Sequence, residues 1–144
     1  MATFTTAQML AAGQNPMSTD AASFPGPVVF EYLLDASKKA IAAADFVTMF
    51  DIPVYTGLII SGATLEVLRA GAATSTIDLG IATTDITGLT AFDAATVGKS
   101  TKLATAANTV VTTGTASSLT LQVNTAGLST GLFRIRVYGT LLSA

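Results

Sequence analysis

The sequence predicts an all-β protein: an antiparallel β-sandwich of the jelly-roll type, preceded by an extended N-terminal arm. Apolar and polar residues alternate in several segments, and turn-forming Gly, Thr, Ser and Asn separate those segments. One short stretch alone has helical propensity. The count is seven to eight strands, which fits a sandwich or jelly roll. The predicted division is an arm over residues 1–27 and a sandwich domain over residues 28–144.

The arm is predicted from its composition. Residues 1–27 are rich in Ala, Thr, Ser, Asn and Gln, hold a single charge at Asp20 and end in Phe-Pro-Gly-Pro, so they bury too little apolar surface to order themselves. A terminus without a role has little reason to keep large apolar side chains, and this one has several. We therefore expect the arm to become ordered on a neighbouring subunit. Its candidate interface residues are Phe4, Met9, Leu10, Met17 and Phe24.

Four segments alternate with a period of two, which predicts strands with one buried face. These segments are residues 28–35, 75–81, 118–124 and 132–142. The side chains predicted to point into the core are Val28, Phe30, Tyr32, Leu34, Ile77, Leu79, Ile81, Leu119, Leu121, Val123, Phe133, Ile135, Val137 and Leu141. The opposite face of each strand is then polar or charged.

Other elements are less regular. Strands are expected near residues 46–52, where one helical turn is the alternative, and over residues 58–68 and 109–113. Gly57 and Gly62 are expected to mark bends or bulges in the second of these strands. Residues 36–44 are expected to form a single turn or loop. Residues 83–102 show no clean alternation, so the sequence predicts a surface excursion there.

The composition argues against a freely diffusing enzyme. The chain is 50% hydrophobic and 11% charged, whereas about 25% is usual, so much of its surface is expected to be covered by copies of itself or by a partner. It contains no His, Cys or Trp, which removes the commonest general base, metal ligand and thiolate nucleophile. We expect no cofactor and no metal. The basic residues are scattered and no run of about 20 apolar residues occurs, so neither a nucleic acid nor a membrane is an expected partner.

Carboxylates are the remaining groups with catalytic potential. Asp45 and Asp51 flank a strand, and a carboxylate pair at a suitable separation can hydrolyse glycosides. No aromatic platform for a sugar accompanies them, so two solvated strand ends are the favoured interpretation. The spacing of Asp78, Asp85 and Asp93 matches no regular calcium loop. The sequence therefore predicts no catalytic residue and no metal ligand.

The last strand carries the best surface candidates. Arg134, Arg136 and Tyr138 alternate with its apolar residues and should form one outward row. Arg and Tyr are enriched in protein interfaces, because a planar fork and an amphipathic ring give contact at limited entropy cost. A solvated strand face is the alternative interpretation of the same row.

Three stretches resemble small structural proteins of tailed bacteriophages, the head decoration or cement proteins. They are Ala-Ala-Ala-Asp-Phe-Val-Thr-Met-Phe-Asp-Ile-Pro at 42–53, Thr-Ile-Asp-Leu-Gly-Ile-Ala-Thr-Thr-Asp at 76–85, and Phe-Arg-Ile-Arg-Val-Tyr-Gly-Thr-Leu-Leu at 133–142. The resemblance covers residues 28–142. It implies a β-sandwich, self-association and binding to a capsid lattice, and it supplies no catalytic residue.

Composition and resemblance together predict a non-enzymatic virion protein. It is expected to bind the outside of a phage head, after synthesis in the host cytoplasm, and to stabilise the shell by bridging major capsid protein subunits. The expected partners are the major capsid protein and further copies of the chain, with a trimer favoured over a dimer. The alternative is a receptor- or carbohydrate-binding sandwich of a fibre or tail, which should expose two or three aromatic side chains on one face.

Overall fold

A computed structural model describes residues 2–4, 8, 26–52, 57–105, 109–111 and 117–142. Strands dominate this part of the chain. They are β1 (Thr3–Phe4), β2 (Gly26–Asp35), β3 (Phe46–Ile52), β4 (Gly57–Arg69), β5 (Thr76–Ile81), β6 (Thr84–Asp85), β7 (Phe92–Asp93), β8 (Gly98–Leu103), β9 (Thr109–Val111), β10 (Ser117–Asn124) and β11 (Leu132–Leu142).

The strands form two sheets. The first sheet has the order β1-β3-β10-β5-β6, with β7 also paired to β5, and the second has the order β2-β11-β4-β8, with β9 also paired to β4. Every pair is antiparallel except β1 with β3. From β2 to β5 the chain changes sheet at each step, and β8, β10 and β11 continue this alternation. Two sheets connected in this way form a jelly roll, so the predicted fold class is confirmed.

The core lies between the two sheets, and its composition follows from the alternation. All the side chains predicted to point inward are buried, except Val28 and Ile81, which are half-buried and pack against the core. In a strand, successive side chains point to opposite sides, so a period of two in the sequence fixes which residues share a face. This part of the prediction needed no knowledge of which strands pair.

The long strand β4 contains the bulge expected near Gly62. Its register against β11 shifts between Tyr138 and the next residue, which leaves Ser61 as the extra residue of β4. The Ser61 hydroxyl donates a hydrogen bond to the Tyr138 carbonyl oxygen at 3.0 Å. A Cβ atom at Gly62 would lie 2.8 Å from the Lys102 carbonyl oxygen, so a larger residue would push β8 away. Gly57 is instead the first residue of β4.

The expectation that residues 83–102 form a surface excursion was wrong. Ile86, Leu89 and Phe92 are buried in the core, and the segment ends in β8, an edge strand of the second sheet. The backbone forms a turn in which the Leu89 amide donates to the Ile86 carbonyl oxygen at 2.9 Å, and the Ile86 amide donates to the Leu79 carbonyl oxygen at 2.8 Å. Ile86, Leu89 and Phe92 are spaced three residues apart, so a search for a period of two misses them.

Two other expectations are settled by backbone pairing. Residues 46–52 form a strand and not a helical turn, because they pair with β10 along their length. Residues 36–44 form turns, and Ile41 makes an isolated antiparallel bridge to Leu128 that buries its side chain. The bridge ties this loop to the connection between β10 and β11.

Tyr32 places a hydroxyl group inside the sandwich. Its side chain is fully buried, and its ring stands edge-on to that of Phe50 with the centroids 6.1 Å apart. Within the described ranges the buried hydroxyl has no hydrogen-bond partner. Burial raises the pKa of Tyr32 to about 12, because the phenolate anion is poorly solvated in the core.

We expect Tyr32→Phe to stabilise the protein by about 1 kcal/mol, because the substitution removes an unsatisfied buried polar group and keeps the ring. The folded protein disfavours the phenolate, so the parent should lose up to about 3 kcal/mol as the pH rises from 10 to 12. Urea unfolding at several pH values between 8 and 12 measures both effects. Tyr138→Phe is the control: it should not gain stability, and because it keeps Tyr32 it should lose stability above pH 10 as the parent does. An equally steep alkaline loss in Tyr32→Phe would contradict the prediction.

Candidate protein interface

The outward side of the second sheet, here called the front face, collects the surface residues predicted on the last strand. Arg134, Arg136 and Tyr138 lie on it in one row along β11 and are half-buried. Because β11 is the second strand of its sheet, each has a neighbour on both sides. Arg134 lies opposite Leu33 and Glu66, Arg136 opposite Glu31 and Thr64, and Tyr138 opposite Val29 and Gly62.

One half of the front face is an ion-pair ladder formed by Glu31, Glu66, Arg134 and Arg136. The Arg134 Nε atom lies 3.1 Å from Glu31 Oε1, and its Nη1 atom lies 2.8 Å from Glu66 Oε1. Arg136 Nη2 lies 3.4 Å from the same Glu31 oxygen. The ladder therefore ties three strands together and neutralises its own charges. Since the side chains remain partly exposed, each pair is worth at most about 1 kcal/mol.

Neither carboxylate of the ladder was predicted to be an ion-pair partner from the sequence. Glu31 was assigned to the outward face of its strand, but nothing indicated that it would meet an arginine 103 residues later in the chain. Glu66 lies in β4, beyond the Ser61 bulge that shifts the alternation. Outward charges of opposite sign in separate strands indicate possible ion pairs. They do not show the strand register that brings two of those charges together.

The other half of the front face is an apolar patch formed by Val29, Ile59, Leu103, Tyr138 and Leu142. Val29 lies directly opposite Tyr138, while Gly62 separates Tyr138 from Leu103. Among described residues, six large hydrophobic side chains are exposed, and four of them belong to this patch; Leu103 is 76% exposed. Exposed apolar side chains gathered on one surface are a common feature of protein interaction sites.

Two glycines form the floor of the apolar patch. A Cβ atom at Gly57 would lie 3.2 Å from the Leu142 side chain, and one at Gly62 would lie 3.3 Å from Leu103 Cδ2. The rows of the sheet that contain the patch carry no charged side chain among the residues the structure describes. The patch is therefore suited to an uncharged, apolar partner, while the adjacent ladder can orient that partner through polar contacts.

The outward side of the first sheet has a different character. It carries Asp51, Asp78 and Asp85 among Thr, Asn and Gln side chains. Asp78 accepts hydrogen bonds from the Asn124 side-chain amide and, at 2.6 Å, from the Ala91 backbone amide. Burial, with a smaller contribution from the charge of Asp78, raises the pKa of Asp85 above its ordinary value. This face is acidic and hydrophilic, so the two sides of the sandwich differ in chemistry.

The two carboxylates considered for catalysis lie far apart, and those considered for metal binding form no group of three within the described ranges. Asp45 and Asp51 lie at opposite ends of β3, about 20 Å apart for an extended strand, whereas a glycosidase pair needs roughly 5–9.5 Å. Asp45 Oδ1 instead accepts a hydrogen bond from the Ala2 amide at 2.9 Å. In the described ranges no three His, Cys, Asp or Glu residues form a group that would hold a metal ion.

The first residues of the arm dock on their own chain. Phe4 pairs with Val47 in the parallel contact between β1 and β3, and the Phe46 amide donates to the Ala2 carbonyl oxygen at 2.7 Å. Phe4 is half-buried against the core, with Lys39 Nζ 4.5 Å from its ring centroid. The other predicted anchors lie outside the described residues: Met9, Leu10, Met17 and Phe24. Their docking on a neighbour stays a prediction.

Two observations bear on the alternative functions. The front face presents Tyr138 as its one aromatic side chain within the described ranges, fewer than the sugar platform expected of a carbohydrate-binding module. A shallow depression of about 210 Å³ before and along β8, lined by residues from Asp93 to Ser100, has no aromatic wall either. No helix in the described part of the chain has the length and apolar character to span a membrane.

Comparisons with known proteins find likeness in solved structures alone. No family model and no curated protein matches the sequence. A capsid structure of Ralstonia phage GP4 is 15% identical, with 91% of this chain and 93% of that chain covered and a TM-score of 0.48. The capsid asymmetric unit of cyanophage Pam1 is 21% identical, with 89% and 94% covered and a TM-score of 0.47. The C-terminal domain of EclA, a sugar-binding protein, is 14% identical, with 86% and 81% covered and a TM-score of 0.42. Likeness at this level leaves function to be argued from the chain itself.

Proposed function

We propose that this chain is a non-enzymatic virion structural protein that decorates the outside of a phage head and stabilises the shell by bridging major capsid protein subunits. The observation that carries the proposal is the front face, where an apolar patch adjoins an ion-pair ladder on a chain with 11% charged residues. Large exposed apolar side chains are costly on a free monomer and useful in an assembly.

The proposal assigns different roles to the two sides of the sandwich. The front face meets protein, because its apolar half gains free energy when it is removed from water. The acidic outward side of the first sheet, with Asp51, Asp78 and Asp85, faces solvent. A chain oriented in this way presents hydration and negative charge to the exterior of the particle, which keeps decorated particles from associating.

Stabilisation of a shell follows from contacts that exist only when its subunits are assembled. A protein that binds two adjacent capsid subunits favours the assembled state by its binding free energy, as any ligand does. Self-association adds to this effect, because an oligomer that touches several subunits binds far more tightly than one copy does. The resemblance of residues 42–53, 76–85 and 133–142 to decoration proteins supports the same role.

The direct test mixes the purified full chain with capsids that lack it. We expect saturable binding with a fixed number of copies per particle, and an increase in the temperature at which the shells break. Sedimentation of the particles measures occupancy, and release of packaged DNA on heating measures shell stability. A chain that stays monomeric and does not sediment with capsids would refute the proposal.

The arm provides a second test of the same proposal. We expect deletion of residues 2–24 to lower capsid occupancy at least 10-fold, because the deletion removes the four anchors predicted to dock on a neighbour: Met9, Leu10, Met17 and Phe24. Deletion also removes β1, which pairs with β3. A second variant therefore keeps residues 2–8, and with them β1, and replaces Met9, Leu10, Met17 and Phe24 with Ser. Full occupancy by both variants would show that the arm has no part in binding.

A further inference from the structure

We propose that the apolar patch on the front face binds residues 5–25 of a second copy of this chain. This inference rests on the proposed role as an assembly protein and names the contact through which copies associate.

The patch is open to solvent in the single chain. In the single chain Leu103 is 76% exposed, Val29 41% and Leu142 39%, although the core side chains beneath the same sheet are buried. These three side chains come from three different strands, so their exposure is a property of the sheet surface and not of a single strand end. An uncharged, apolar segment is the occupant that loses least solvation on binding there.

Residues 5–25 have the matching composition. They contain one charged residue, Asp20, and four large apolar side chains: Met9, Leu10, Met17 and Phe24. Two of these are methionines, whose unbranched side chains adapt to shallow, irregular surfaces such as a floor of two glycines. The patch carries no charged side chain, so the apolar side chains of the segment would bury no unpaired charge when they bind there.

The segment also enters the fold at the border of the patch. It ends where β2 begins, and there Gly26 pairs with Leu141 and Pro27 with Thr140. Thr140 lies opposite Ile59 of the patch. When two copies meet at this border, the segment of each one starts beside the patch of the other. Reciprocal exchange of an identical segment is a low-cost route to a closed oligomer.

The length of the segment is sufficient for the exchange. A chain of 21 residues spans at most about 70 Å, so a segment held at both ends, at Phe4 on β3 and at Gly26 on β2, can reach at most about 35 Å from them. A domain of 100 residues has a radius of gyration of about 13 Å. The reach of the segment is therefore sufficient to cross the face of an adjacent copy.

Disulfide trapping tests the contact, because the natural chain contains no cysteine. Full-length chains carrying Leu103→Cys are mixed with chains carrying Met9→Cys, Met17→Cys or Phe24→Cys, oxidised and separated without reductant. Val97→Cys replaces Leu103→Cys in the control mixtures; Val97 is 62% exposed and lies outside the patch. We expect at least one Leu103 mixture to form a two-chain product at 10 times or more the yield of its control, identified by peptide mass as the mixed disulfide.

Each other outcome overturns the inference. Products that join Leu103→Cys to itself would show that two patches meet face to face. Disulfides formed within one chain, in double variants, would show that the segment covers its own patch. Yields equal to the Val97 controls would show no contact. Capsid binding by the unsubstituted chain separates the two proposals. Capsid binding by that chain, with no mixed disulfide in the variants, refutes the exchange alone. The mixed disulfide in the variants, with no capsid binding by the unsubstituted chain, refutes the decoration role alone.

Discussion

Replacing Phe92 with Ala is expected to lower the free energy of unfolding by about 3–5 kcal/mol, the usual cost of removing a fully buried phenyl ring. Phe92 is 1% exposed, and its strand β7 pairs with β5 so that it lies opposite Ile77. The Lys102 ammonium lies 5.1 Å from the centroid of its ring. The Phe92 ring thus fills part of the core where the segment between β5 and β8 passes from the first sheet to the second.

Equilibrium unfolding in urea measures this loss, and Val97→Ala is the matched control in the same connection. Val97 is 62% exposed, so its truncation should change the free energy of unfolding by less than about 0.5 kcal/mol. Similar midpoints for the two variants would show that residues 83–102 lie on the surface after all. A large loss in Phe92→Ala alone would confirm that this irregular segment is part of the core.

Leu103→Asp is expected to weaken self-association and capsid binding by about 100-fold or more without unfolding the chain. Leu103 is 76% exposed, so a carboxylate there is fully solvated in the monomer and the free energy of unfolding should change by less than about 0.5 kcal/mol. In an apolar contact the same carboxylate must be desolvated without a partner, at a cost of several kcal/mol. A loss of about 2.7 kcal/mol corresponds to the 100-fold change.

Light scattering across a concentration series measures self-association, and sedimentation with capsids measures occupancy. Val97→Asp introduces the same charge at another exposed position and should leave both quantities unchanged. Equal behaviour of the two variants would mean that the apolar patch takes no part in assembly. A lower urea midpoint in Leu103→Asp would mean that Leu103 supports the fold, so the midpoint is measured first.

The sequence by itself determined the direction of side chains within four of the strands. The alternation in β2, β5, β10 and β11 identified their buried faces, and it placed Arg134, Arg136 and Tyr138 outward. The physical reason is local, because the period of two belongs to every extended strand whatever its neighbours are. The bulge at Gly62 was predictable for a similar reason, since a glycine within a strand permits a close approach that a side chain prevents.

The tertiary structure decided which strands lie side by side, and with that the composition of the front face. The apolar patch takes Val29 from β2, Ile59 from β4, Leu103 from β8 and Tyr138 from β11. Strand order and register depend on which core side chains fit together across the two sheets, a property of the whole chain. The same dependence hid the carboxylate partners of Arg134 and the burial of Phe92, because each requires residues distant in sequence to meet in space.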